Sequence, residues 1–325
     1  MAQIEYRRLD DSGLIVSTIG LGCNNFGRAG TFTETQEGTD AVIGSAIDSG
    51  ITFFDTADIY GAERGLSETL MGNSLRGKRD GIILATKFGM DMQGANGPDW
   101  GVRASRRYTR LAVEASLRRL QTDWIDLYQL HHPDPGTPIE ETLEVLDDLI
   151  REGKVRYIGH SNLGGWQIAE AEFTARASGH PRFISAQNEY SLLARGAERE
   201  VLPAVRAFRL GFLPFFPLYN GLLTGKFTRA GGPADSRIMQ QRRHLADDAP
   251  WDVLERYQAF CAERAITMLE ATFAWLLAQP ALSSVIAGAT RPEQITQNVA
   301  ASTSWHPDER EVAEMSEIFD LPLPG

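Results

Sequence analysis

The chain has 325 residues, with 32 Lys and Arg against 43 Asp and Glu, so its formal net charge is −11. Charges of both signs are mixed along its length, which excludes the basic surface of a nucleic-acid or anionic-membrane binder. A hydrophobic fraction of 42% supports a full core and excludes disorder, while no apolar run approaches the roughly 20 residues of a membrane-crossing helix.

The two cysteines, Cys23 and Cys261, lie too far apart in sequence for a disulfide framework or a thiolate zinc site. Met1 to Asp10 mixes charges without the apolar stretch of a signal peptide, so the expected location is the cytoplasm.

In chain order, Ile4–Leu9 and Leu14–Val16 flank the turn signal Asp10-Asp11-Ser12-Gly13 and predict an N-terminal β-hairpin. Short apolar runs then recur at Val16–Cys23, Thr52–Ala57, Ile82–Phe88, Trp124–His131, Val155–Ser161, Phe183–Asn188, Phe212–Leu218 and Leu282–Gly288. They are continuously apolar, as parallel strands buried on both faces are. Between them lie helix-period segments at Glu34–Ser49, Leu66–Arg76, Arg103–Leu120, Pro138–Glu152, Trp166–Ala177 and Ala197–Phe208, then a 251–279 region and Pro292–Ser302. Ile139, Leu143, Leu146 and Ile150 mark one helix face at steps of four and three, with Pro138 suited to the first turn and Gly153 to the stop.

Eight strand-then-helix units fit a closed barrel or a doubly wound open sheet. The open sheet requires G-x-G-x-x-G after its first strand, and Gly20-Leu21-Gly22-Cys23-Asn24-Asn25 lacks the third glycine. The expectation is therefore an α/β protein, a (β/α)8 TIM barrel with an N-terminal β-hairpin and long loops on the C-terminal rim, residues 1–325 forming one domain. The long loops are Gly89–Val102 and Thr228–Pro250.

A barrel of this kind works at the C-terminal ends of its strands, so the polar residues there are the candidates. Asp55 and Tyr60 stand at the end of the second strand, Lys87 at that of the third and His131 at that of the fourth. Alone, Tyr60 reads as a rim aromatic and Lys87 as a surface lysine; on adjacent strand ends they read as a proton-transfer site. A nearby ammonium favours phenolate, so Lys87 is expected to lower the Tyr60 pKa, with Asp55 holding Lys87 protonated and His131 steering a carbonyl oxygen. Protonating that oxygen completes a reduction only if hydride arrives, and no side chain delivers hydride; a nicotinamide is implied. His131-His132 suggests no metal, because strand neighbours point to opposite sides.

These residues resemble the aldo-keto reductase superfamily over essentially the whole chain. The match opens with Tyr6-Arg7-Arg8-Leu9 and Gly20-Leu21-Gly22. It is strongest in Gly50-Ile51-Thr52-Phe53-Phe54-Asp55-Thr56-Ala57-Asp58-Ile59-Tyr60-Gly61, followed by Leu66-Ser67-Glu68. It continues through Leu84-Ala85-Thr86-Lys87, Asp126-Leu127-Tyr128-Gln129-Leu130-His131, Ile158-Gly159-His160-Ser161-Asn162 and Ala186-Gln187-Asn188-Glu189-Tyr190. The resemblance implies a (β/α)8 barrel and NADPH-dependent carbonyl reduction, with Asp55, Tyr60, Lys87 and His131 as the tetrad and Tyr60 as general acid. It implies NADP(H) as cofactor, with Ser161, Asn162 and Gln187 against the nicotinamide carboxamide and Phe215 stacked on the ring, where the family most often has tyrosine. Pro217 and Leu218 fall in the same nicotinamide-stacking segment as Phe215, and Gly221 and Lys226 in the following segment, which resembles the pyrophosphate loop. Gly288, Thr290, Arg291, Gln294 and Asn298 fall in the adenosine-phosphate segment.

Thr290 and Glu293 also have the spacing of a capping box. Arg291 in a first helical turn opposes the helix dipole unless an anion is present, which marks it as the 2′-phosphate partner. The expected partner is a small-molecule carbonyl substrate, with no nucleic acid, membrane or metal; oligomeric state is not legible. Two alternatives stay open: a cofactor-binding regulatory subunit resembling the potassium-channel β subunits, and a non-redox lyase or isomerase on the same barrel. Specificity is expected in the 23–32, 89–106 and 219–250 loops and the C-terminal tail.

Overall fold

The structure, a computed structural model, describes residues 4–234 and 236–320. The chain opens with β1 (Tyr6–Arg8) and β2 (Ile15–Ser17), an antiparallel hairpin in which Tyr6 faces Ser17 and Arg8 faces Ile15. After β3 (Ile19–Gly22) the elements alternate. They run α1 (Gln36–Asp48), β4 (Phe53–Asp55), α2 (Leu66–Ser74), β5 (Ile83–Phe88), α3 (Arg106–Leu120), β6 (Ile125–Leu130) and α4 (Ile139–Arg151). Then come β7 (Val155–Ser161), α5 (Gly165–Ser178), β8 (Ser185–Gln187), α6 (Val201–Phe208) and β9 (Gly211–Phe212). The last part holds two short helices, α7 (Arg237–Gln241) and α8 (His244–Asp247), then α9 (Trp251–Glu263), α10 (Met268–Leu277), β10 (Val285–Gly288), α11 (Pro292–Ser304) and α12 (Glu309–Ile318).

Eight parallel strands form one sheet in the order β10-β3-β4-β5-β6-β7-β8-β9. Its two edges meet: Phe212 N–H donates to Ala281 O at 2.9 Å, Ser283 N–H to Phe212 O at 3.0 Å, and Ile286 N–H to Pro214 O at 3.3 Å. The expected (β/α)8 barrel and N-terminal hairpin are both present.

Side chains alternate across each strand, so residues two apart share the interior and stack in layers. The lower layer is apolar: Phe53, Ala85, Leu127, Leu213 and Ile286 pack together, and Leu9, Leu14 and Val16 of the hairpin close the barrel beneath them. Gly211 permits this approach, since a Cβ there would lie 2.9 Å from Leu9 Cα. Two residues further along, Asp55, Lys87, Gln129 and Gln187 form a buried polar layer. Outside the barrel, the strands' other faces and the helices make the main core.

Four details differ from the sequence reading. The run Val16–Cys23 divides at Thr18, its first part serving the hairpin and its second the barrel. The seventh strand is only Gly211–Phe212, although Leu213 and Phe215 N–H still bond to Ala186 O and Asn188 O at 2.9 and 3.1 Å; Pro214 and Pro217 lack the donors for a longer ladder. The 251–279 region is two helices, α9 and α10, broken where Ala265 takes φ 53°. The helix α12, not anticipated, is announced by a capping box in which Asp308 accepts from Arg310 and Glu311 N–H, and Glu311 accepts from Asp308 N–H.

Candidate active site

The polar layer is held together by Asp55. Its Oδ2 accepts from Lys87 Nζ at 2.6 Å, and its Oδ1 from Gln129 Nε2 at 3.1 Å and Gln187 Nε2 at 3.0 Å. Lys87 also donates to Thr56 O at 2.8 Å. Both ions are buried, so the pair persists only because nearly every lone pair and proton has a partner.

Tyr60 lies in the turn after β4, fixed by Tyr60 N–H to Ala57 O and Ser67 N–H to Tyr60 O, both 3.1 Å. The Lys87 ammonium lies 5.3 Å from its ring centroid, and the His131 ring meets it edge-on at 5.9 Å. The four expected side chains therefore converge at the open end of the barrel.

Their electrostatics differ from expectation in one respect. Burial pushes the Tyr60 pKa up, and this outweighs the opposite pull of Lys87, with Asp55 adding to the rise. The ammonium acts in the expected direction but desolvation wins, so the phenol stays protonated through neutral pH. Burial pulls Lys87 the other way, but the charge and hydrogen bond of Asp55, with help from Tyr60, raise it on balance. Burial, then Lys87 and His132, holds His131 well below its ordinary value, so the imidazole is neutral; its Nδ1 has no partner among the described residues. Cys23, buried beside this group, has its thiol pushed well up by burial and then by Asp55, and is inert.

The expected cofactor residues lie along the same rim. Ser161 Oγ donates to Gln187 O at 2.8 Å, and Asn162 Nδ2 donates to His131 O and Ser161 Oγ, each at 3.0 Å. Asn162 takes φ 62°, a left-handed conformation asparagine tolerates. Phe215 is half-buried and bridges to Glu189. Beyond it Phe216, Tyr219, Asn220, Gly221 and Gly225 all have positive φ, a contorted turn that holds Leu218 and Gly221 with Lys226 exposed just after it. Strain concentrated in this way is a mark of ligand-contacting loops.

Gly288 ends β10 beside Gly22, and Thr290, Arg291, Gln294 and Asn298 follow at α11. The capping box expected between Thr290 and Glu293 is not formed. Pro292 at the first helical position makes Arg291 the N-cap, and Gln294 Oε1 instead accepts from Thr290 N–H at 2.7 Å.

The chain was next compared with known proteins. The model of the Aldo/keto reductase family matches residues 18–320. The chain belongs to the aldo/keto reductase family. It is 37% identical over 307 residues to "Uncharacterized oxidoreductase YrpG" of Bacillus subtilis (strain 168), covering 92% of this chain and 91% of the relative. It is 35% identical over 327 residues to "Probable aldo-keto reductase 1" of Glycine max, covering 98% and 91%. It is 33% identical over 309 residues to "Probable voltage-gated potassium channel subunit beta" of Oryza sativa subsp. japonica, covering 92% and 91%. As an aldo-keto reductase the chain is an oxidoreductase, and the family acts on small-molecule carbonyl compounds with a nicotinamide cofactor. Among the described residues, no helix is long and apolar enough to cross a membrane.

Sequence reasoning gave no role to several residues that build this aldo-keto reductase site. Gln129 precedes His131 by two on one strand, so period-two alternation alone aims it at the same interior. Behind Tyr60 a second network runs from Thr86 Oγ1 to Glu68 Oε1 (2.6 Å) and from Arg119 Nε to Glu68 Oε2 (2.7 Å). It continues from Arg119 Nη1 to Asn96 Oδ1 (2.9 Å) and ends with Asn96 Nδ2 to Asp58 Oδ2 (2.9 Å). Asn96 belongs to the long 89–102 loop, whose distance from Asp58 in sequence hides the contact. Burial, then Glu68, pushes the Asp58 carboxyl well above its ordinary range.

Proposed function

We propose that this chain reduces aldehydes and ketones to alcohols with NADPH, reversibly, with Tyr60 as the general acid. One observation carries the reading: a phenol, an ammonium held by a buried carboxylate and a neutral imidazole converge from three neighbouring strands on the open end of the barrel. The residues fit a dinucleotide, because a contorted loop of positive φ and a helix capped by Arg291 flank a cluster of amide and hydroxyl groups on one rim.

When bound, the nicotinamide supplies the hydride. Tyr60 gives its proton to the carbonyl oxygen, and Lys87, kept charged by Asp55, stabilises the phenolate left behind. His131, being neutral, has one ring N–H to donate to the same oxygen and orients it. Ser161, Asn162 and Gln187 hold the carboxamide, Gln187 also bracing Asp55. Phe215 stacks on the ring; phenylalanine keeps the stacking face of tyrosine and loses only the hydroxyl. Pro217 and Leu218 line the nicotinamide beside Phe215, Gly221 and Lys226 hold the pyrophosphate, and Gly288, Thr290, Gln294 and Asn298 the adenosine side. Arg291 pairs with the 2′-phosphate and sets the preference for NADPH over NADH. Residues 1–325 act as one domain, in the cytoplasm.

The test is NADPH oxidation with a panel of aldehydes and ketones, alongside NADPH binding, in the parent and Tyr60→Phe. Turnover in the parent and binding without turnover in the variant is the expected result; no NADPH binding by the folded parent overturns the reading. An Arg291→Ala variant with an undiminished preference for NADPH removes that assignment. The likeness to the rice channel-subunit relative favours a second reading, cofactor binding in service of a partner. Tight NADPH binding, absence of turnover across the panel and co-purification with a membrane protein would support it.

A further inference from the structure

Of the four side chains at the open end of the barrel, Asp55 and Lys87 stand in strands. His131 stands one residue beyond β6, where its N–H still donates to Phe88 O at 2.8 Å. Tyr60 stands five residues beyond β4, in a turn outside the sheet. A functional side chain on irregular backbone keeps a working position only if other groups brace it.

The bracing is a closed circuit of bonds that starts and ends at Tyr60. Two residues before it, Asp58 N–H donates to Lys87 O at 3.2 Å and Asp58 Oδ2 accepts from Asn96 Nδ2 at 2.9 Å. Asn96 Oδ1 accepts from Arg119 Nη1 at 2.9 Å, and Arg119 Nε donates to Glu68 Oε2 at 2.7 Å. Glu68 follows Ser67, whose N–H donates to Tyr60 O at 3.1 Å. A spur reaches the lysine's strand, where Thr86, next to Lys87, donates to Glu68 Oε1 at 2.6 Å. Asp58, Glu68, Thr86 and Asn96 are all buried. Gly65 makes room for the arginine, since it takes φ 84° and a Cβ there would lie 2.5 Å from Arg119 Cδ. Asn96 comes from the long loop between β5 and α3, so a rim loop closes the circuit.

We propose that Asn96 is a positioning residue for the acid: by joining Asp58 to Arg119 it closes a clasp that holds the Tyr60 phenol between Lys87 and the carbonyl oxygen. The inference rests on the proposed reduction with Tyr60 as general acid. Asn96 carries no charge. The titratable groups that act on Tyr60 are Lys87, Asp55, Cys23 and Arg28, with His131 against its ring, and none of these belongs to the clasp. Asn96 therefore acts on the phenol by fixing its place. Displacing a reacting group by about 1 Å costs on the order of 100-fold in rate. A loosened turn also lets water reach the phenol and weakens the burial that raises its pKa, leaving the opposite pull of Lys87.

The experiment compares the parent with Asn96→Ala, Asp58→Ala and Asp58→Asn, each shown to be folded by circular dichroism. The aldehyde that the parent reduces fastest gives kcat and KM, and fluorescence quenching gives NADPH affinity. In parallel, 13C NMR of protein labelled at tyrosine Cζ follows the ionisation of Tyr60, one of eight tyrosines, its signal assigned by its loss in Tyr60→Phe. The expected result is a fall in kcat of about 100-fold in Asn96→Ala and Asp58→Ala, with KM and NADPH affinity little changed. Tyr60 ionises at lower pH in both than in the parent. Asp58→Asn keeps an acceptor for Asn96 and recovers most of what Asp58→Ala loses. An unchanged kcat, an unmoved Tyr60 ionisation, equal losses in Asp58→Asn and Asp58→Ala, or a fall in NADPH affinity that accounts for the lost rate each overturns the proposal. A parent that reduces no carbonyl compound sinks the reductase reading, and the NMR titration then decides the clasp alone: ionisation at lower pH in Asn96→Ala keeps it, and an unmoved signal overturns it.

Discussion

Asn96 donates its side-chain amide to Asp58 at 2.9 Å, joining the tip of a long rim loop to a residue two positions before the proposed acid Tyr60. The same asparagine accepts from Arg119 at 2.9 Å, and Arg119 is anchored on the buried Glu68. The loop is thus tied to the base of the site.

Removing that tie leaves Asp58 with neither oxygen bonded by a side chain and Arg119 short of one acceptor. Asn96→Ala is expected to cost about 1–3 kcal/mol. A lowered midpoint in denaturant unfolding, with faster proteolysis within 89–102, checks it; an unchanged midpoint speaks against the network.

Lys87→Met strands the Asp55 carboxylate in the barrel with only two amide donors. A buried charge that loses its partner costs about 3–5 kcal/mol, so this variant is expected to be strongly destabilised. Adding Asp55→Asn removes the stranded charge and recovers part of the loss. A double-mutant cycle in urea checks this, and strict additivity of the two losses would count against the coupling.

The pH dependence of stability has a clear sign at His160, which is buried, with neither ring nitrogen hydrogen-bonded among the described residues, and is held by burial down to about 3. Between its unfolded value near 6.5 and about 3, the unfolded chain carries a proton that the folded chain refuses, so stability falls as pH falls through that window. The share of this one group is about 1.4 kcal/mol per pH unit. His160→Phe is expected to flatten the urea-midpoint profile between pH 6 and 4 relative to the parent; parallel profiles would refute the assignment.

In the proposed reduction the protonated phenol is the active form. Because burial raises Tyr60 above its ordinary value of 10.0, kcat/KM for reduction is expected to hold level through neutral pH and to decline only above that value. A decline with its midpoint near pH 8 in stopped-flow assays would show that Lys87 outweighs desolvation after all.

Much of this architecture was legible because strand length, apolar runs and helix period are local properties. The rim residues Asp55, Tyr60, Lys87 and His131 were legible because each stands near or just beyond the end of such a run. Gln187, by contrast, was expected against a cofactor, and its bond to Asp55 at 3.0 Å spans strands four apart in the sheet. Asp58 and Asn96 were hidden for the same reason. The capping box at Thr290 was misread because Pro292 fixes where α11 begins, and Arg291 rather than Thr290 takes the cap. The sign of the Tyr60 shift depended on how deeply the turn is buried, a quantity that spacing does not carry.

The hairpin beneath the barrel has a further consequence. Leu9, Leu14 and Val16 seal an interior floor of Phe53, Ala85, Leu127, Leu213 and Ile286, and none of these bears a proton to give. In the proposed reduction, the proton that replenishes Tyr60 therefore comes from the rim side of the polar layer and not through this floor.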